Sequence, residues 1–86
     1  MKYYIITLLG EYEQKTQHLF CSLWSKEADY YAWSIGYSDL VVFKRKSDAD
    51  NFIEDMSITG VLKVEKVFLR GISYHIFNPR FQWKQS

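Results

Sequence analysis

Three side chains in this 86-residue chain could combine for nucleophilic or metal chemistry: Cys21, His18 and His75. A thiolate with an imidazole base makes a workable nucleophile, provided that the thiol is exposed and lies near a cation. Cys21 instead falls between Leu19 and Leu23, on the apolar side of the alternating stretch HLFCSLW. It reads as a buried, inert cysteine. The three residues also lack the CxxC or HxxxH spacing of a metal site, and both histidines read as ordinary, partly exposed strand residues. General acid–base work needs two carboxylates in different environments. The closest acidic pairs, Glu11 with Glu13 and Glu54 with Asp55, fall in a loop and on a helix flank, where both members are solvated. Gly10, Gly36, Gly60 and Gly71 are scattered singly and form no phosphate-cradling loop. No catalytic residue, cofactor or metal is assigned, and the chain is expected not to be an enzyme.

Binding chemistry is better represented. The chain ends FNPRFQWKQS, and no acid follows Glu65. Lys44, Arg45 and Lys46 precede a helical segment, and Lys66, Arg70, Arg80 and Lys84 mix with Phe77, Phe81 and Trp83. Aromatics interleaved with cations bind single-stranded nucleic acid by stacking and phosphate neutralisation. Such binders usually carry a strong positive charge, whereas this chain has a net charge of +1. The same residue types serve equally well as protein-interface anchors, because Trp, Tyr and Arg dominate hot spots. The leading anchors are Trp83, Phe81, Arg80, Tyr37 and Trp24. For the nucleic-acid alternative they are Lys44, Arg45, Arg70, Arg80 and Lys84.

Size narrows the choice. A chain this short hides about 60–65% of the surface that its unfolded form exposes, so a roomy substrate pocket would have to be cut from a small core. Six Phe, seven Tyr and three Trp exclude a disordered chain. They also exceed what a small core needs, which places some at the surface. One cysteine cannot form an internal disulfide, so a reducing, cytoplasmic setting is expected. The apolar N-terminus MKYYIITLLG is too short to span a membrane. It also lacks a signal-peptide cleavage site.

The elements that position these residues are mostly strands. Tyr3 to Leu9 is apolar on both faces, as in a central strand, and ends at Gly10. GEYEQKT is a loop or hairpin connection. His18 to Trp24 alternates and pairs antiparallel with the first strand. Ser25 to Gly36 fits either a helix capped by Ser25 or a strand after a turn at 25–29; Tyr30, Tyr31 and Trp33 favour the strand. Leu40 to Arg45 is a strand. SDADNFIEDM is a helix over about residues 48–57, N-capped by Ser47. Its apolar stripe is Ala49, Phe52, Ile53 and Met56, and Gly60 is its stop. Val61 to Leu69 is a strand with Lys63, Glu65 and, as a further candidate, Lys66 toward water; Gly71 breaks it or marks a bulge or tight turn, and Ile72 to Phe77 is the last strand. The class is α+β: an antiparallel sheet of four to five strands with one helix packed on one face. Residues 1–78 form the domain and 79–86 an aromatic, basic extension. The edge at Ile72–Phe77 offers a route to a homodimer.

The run YYAWSIGYSDLVVFKRKSDADNFIEDM, followed by GVLKVEKVF, resembles a pattern of small orphan bacteriophage and prophage proteins. The matching residues are Met1 to Ile6, Trp33-Ser34, Phe43 to Ala49 with Phe52 and Ile53, and Val61 to Val67. The resemblance implies a non-enzymatic protein of the host- or defence-inhibiting kind, anti-CRISPR proteins among them. Such a protein would act in the bacterial cytoplasm by steric occlusion of a host or defence complex.

Overall fold

The computed structural model describes residues 2–25, 30–36 and 39–77, with the backbone alone at 24, 25 and 30. Six strands and one helix follow one another as β1 (Lys2–Tyr12), β2 (Lys15–Ser25), β3 (Tyr30–Ser34), β4 (Leu40–Val42), α1 (Lys46–Asp55), β5 (Val61–Phe68) and β6 (Tyr74–Ile76). The strands form one sheet in the order β5-β1-β2-β4-β6, with β3 also on β2. The class is α+β, with the helix on one face. The sheet has one strand more than the four or five expected, and one of its pairs, β4 with β6, is parallel.

β1 lies between β5 and β2, and each of its apolar faces meets its own cluster: Ile6 packs beneath α1, while Tyr3 and Ile5 pack on the other side with Leu69 and Ile72. Of the loop or hairpin that GEYEQKT allows, the structure has a tight hairpin, with Gly10 to Tyr12 and Lys15 to Gln17 inside the strands. Strand pairing continues to Tyr12↔Lys15, and Glu13 and Gln14 turn the chain with φ of 51° and 64°. Positive φ at both central residues is the pattern of a type I′ turn. The β1–β2 ladder stops at Thr7↔Phe20. β4 enters where the two strands part, pairing Leu40 with Ser22 and Phe43 with Tyr4. This junction cuts β4 to three residues, where the sequence suggested a strand to Arg45. The ambiguous segment resolves as strand at Tyr30–Ser34; Ser25, expected to open the turn, still belongs to β2 and pairs with Tyr30, and residues 26–29 lie outside the described residues.

Register divides the side chains between two faces. Ile6, Cys21, Tyr31, Val41, Phe43, Ala49 and Phe52 form the core beneath α1. Rings dominate it: Phe52 lies 5.4 Å from Tyr31, 5.4 Å from Phe43 and 5.2 Å from Phe77, centroid to centroid. Much of the aromatic excess is therefore internal. On the opposite face Tyr3, Ile5, Phe20, Leu40 and Val42 form a second cluster.

The helix begins two residues earlier than expected. Arg45 occupies the N-cap in an extended conformation without a side-chain cap bond, so Ser47 sits inside the first turn. The Arg45 carbonyl accepts from the Asp48 and Ala49 amides, and its guanidinium donates to both Asp48 carboxylate oxygens at 3.2 Å. That fork holds the first turn closed while Asp48 faces the positive end of the helix dipole. The stop is not Gly60 either. Ser57 takes φ of 53°, its amide donates to the Glu54 carbonyl, and the Ile58 amide donates to the Ile53 carbonyl. This is a Schellman closure with a serine in the left-handed position that glycine prefers. Ser57→Gly should raise stability by about 0.5–1 kcal/mol, read as a higher urea midpoint at unchanged slope.

Candidate functional site

The chain leaves β5 at one edge of the sheet and enters β6 at the other. Leu69–Ser73 makes that connection, and Leu69 and Ile72 pack against the second cluster. Gly71, at φ 64°, supplies the sharp turn between them. A groove remains beneath this strap. Ile5, Leu40, Val67, Phe68, Leu69 and Ile72 line it, and its volume is about 310 Å³. That is the small end of the range for ligand sites, about 300–1,000 Å³. All six side chains are apolar. Small-ligand and catalytic pockets need a few polar groups to orient the bound molecule, and no side chain of this lining supplies one. Its chemistry suits an inserted aliphatic or aromatic side chain. Phe68 ends the lining where β5 runs into the strap; its 69% exposed ring follows the register of Val64 and Lys66 toward the other face. On the groove's own face Tyr74 and Ile76 extend the exposed apolar surface along β6.

The strap's far end is pinned by polar contacts. The Asp39 amide donates to Ser73 Oγ at 3.1 Å, the Leu40 amide donates to the Ser73 carbonyl, and His75 Nε2 lies 3.0 Å from Asp39 Oδ1. His75 thus joins β6 to the loop before β4. Tyr3 packs on Tyr74 with centroids 5.4 Å apart. Burial, and then its hydrogen bond with Tyr74, raise the Tyr3 phenol above its ordinary value.

The sequence-derived anchors fare unevenly. Tyr37, Arg80, Phe81, Trp83 and Lys84, and the side chain of Trp24, lie outside the described residues. Lys44, Arg45 and Arg70 are exposed, and register brings them toward one end of the sheet. Tyr4 pairs with Phe43 on one side and Lys66 on the other, and Lys2 pairs with Phe68, two residues before Arg70. Lys2 Nζ sits 5.8 Å from the Phe68 ring centroid. Arg45 is committed in part to Asp48. Cys21 is fully buried, and desolvation pushes its thiol up to about 12, so it carries negligible thiolate at neutral pH. Among the described residues no three His, Cys, Asp or Glu side chains gather into a metal-binding group. The groove itself escaped sequence reading, although Leu69 and Ile72 flanking Arg70-Gly71 are an apolar signal in a turn.

The fold and the groove define a small α+β domain with an apolar groove on the face opposite its helix. No family model, curated protein or solved structure matches the chain. Among the described residues, no helix is long and apolar enough to cross a membrane.

Proposed function

We propose that the protein is a non-enzymatic protein-binding module, encoded by a phage or mobile element, that inhibits a host or defence macromolecule such as a CRISPR–Cas complex by steric occlusion. The groove is the observation that supports this reading. A partner inserts an apolar side chain over Ile5 and Leu40, and the apolar surface of Tyr74 and Ile76 on the same face excludes water beside it, the arrangement from which interface hot spots draw their energy. Ile72→Glu puts a charge in the groove wall. It should weaken capture of the partner at least tenfold, about 1.4 kcal/mol, while circular dichroism stays native. The measurement is inhibition of a reconstituted bacterial CRISPR–Cas effector, with capture from bacterial lysate in parallel. The reading fails if the wild type captures and inhibits nothing, or if Ile72→Glu does both equally well.

A second reading, binding of single-stranded nucleic acid, draws on the cations that register gathers near the start of β1. Its affinity would fall steeply with salt, and no binding to a labelled oligonucleotide at low salt would remove it.

A further inference from the structure

Among the described residues the sheet ends in three open edges, β3, β5 and β6. β3 and β6 are short, five and three residues. β5 is eight residues long and pairs with β1 without a break from Leu9↔Val61 to Lys2↔Phe68. Edge strands are normally blunted by proline, a bulge or unpaired lysines. β5 has no proline and no bulge. Of its two lysines, Lys63 is already paired with Glu65 at 3.1 Å, and Lys66 is exposed on the opposite face, where a pairing centred on Val64 sets it against Leu62 rather than another charge. Its ends are apolar and open, Val61 at 67% and Phe68 at 69%.

We infer that β5 is a self-pairing edge, joining two copies of the chain antiparallel with Val64 opposite Val64. A two-fold axis normal to the sheet puts opposed residues on the same face, so the register is centred on a residue of β5. Centring on Lys63, Glu65 or Lys66 opposes like charges at the axis, which is destabilising. Centring on Leu62 or Val67 engages at most three residues of β5, and centring on either end engages one. The Val64 register engages residues 61–67. It sets Lys63 opposite Glu65 of the second copy, twice, and Val61 opposite Val67, twice. It also brings Phe68 opposite Gly60, whose φ of 126° excludes most side chains; an aromatic ring packed over an edge glycine is a recurrent way to stabilise such a pairing. A contact of this size falls below the standard interface of about 1,600 Å², so the dimer is weak and reversible. The inference uses the edge of β5 and does not rest on the groove.

Sedimentation equilibrium on the full chain, over a wide concentration range at low salt, should follow a reversible monomer–dimer scheme. Lys63→Glu alone and Glu65→Lys alone each turn both charge pairs repulsive and should weaken association about tenfold. An equimolar mixture of these two variants should associate as the wild type does, because the pairs become opposite again across the axis. Without any substitution, an isotope-filtered NOE experiment on mixed labelled and unlabelled chains should give intermolecular contacts at Val64 and between Val61 and Val67. A wild type that stays monomeric throughout overturns the inference. So does a dimer indifferent to both charge variants, which would place the contact on another edge, and so does a variant mixture that fails to associate.

Discussion

Phe52→Ala should leave little or no folded protein at 25 °C. Phe52 is 2% exposed and meets three rings, Tyr31, Phe43 and Phe77, at centroid distances of 5.2–5.4 Å. It is the residue through which α1 grips the sheet. Truncating a buried phenylalanine costs about 3–5 kcal/mol, from lost transfer energy and the cavity left behind. A domain this small has a net stability of a few kcal/mol, so one such loss removes most of it. The rings from β3, β4 and the end of β6 cannot collapse into the gap without moving strands already fixed by backbone pairing. Phe52→Leu keeps most of the volume and should cost well under half as much. Urea denaturation followed by far-UV circular dichroism reads both. A Phe52→Ala protein with near wild-type stability would mean that α1 does not hold the core.

Cys21 should be almost unreactive toward thiol reagents in the folded protein. A shift from 9.0 to about 12 lowers the thiolate fraction at neutral pH by about a thousandfold, and steric burial adds to that. Labelling by a disulfide reagent at pH 7.5 should therefore be at least a thousandfold slower in the native protein than in urea. The same burial gives stability a pH dependence. The folded state favours the neutral thiol, so this contribution is fully present below about pH 9 and is lost as the pH climbs toward 12. Tyr3, whose phenol is also raised, acts in the same direction from pH 10 upward. The unfolding free energy should be insensitive to Cys21 near neutrality and fall across pH 9–12. Cys21→Ala should flatten that fall. Rapid native labelling would place the thiol outside the core.

These two predictions rest on residues whose places could be read from the sequence. The alternation of Leu19, Cys21 and Leu23 puts Cys21 on an apolar face of β2, although the structure buries Phe20 and Ser22 on the other face as well. The spacing of Ala49, Phe52, Ile53 and Met56 fixes the buried stripe of α1, since only that stripe can meet a sheet. Both are local periodicities, and the structure keeps them. Element ends were harder to read. Glu13-Gln14 carries no asparagine or glycine, yet turns the hairpin with both φ values positive, because the β1–β2 pairing on either side outweighs the local strain. Ser57 takes the left-handed cap for a similar reason: Ile58, one residue on, packs into the core. At the other end, Arg45 displaces Ser47 as N-cap because its side chain reaches Asp48.

Periodicity and composition alone determine an α+β chain with a central apolar strand, an amphipathic helix, a buried cysteine and more aromatics than disorder permits. These follow from side-chain direction along a strand or a helix turn, which is set within a few residues. Tertiary structure alone decides that β4 wedges between the parting ends of β1 and β2, that β6 pairs parallel to it, and that Leu69–Ser73 straps the face opposite the helix. It also decides which strand is left at an edge. Those outcomes depend on contacts between residues some thirty to seventy positions apart, Tyr4 with Phe43, Ile5 with Leu40 and Val67, and Asp39 with His75. No local pattern encodes them, because their energy is gained only when the strands carrying them have already met.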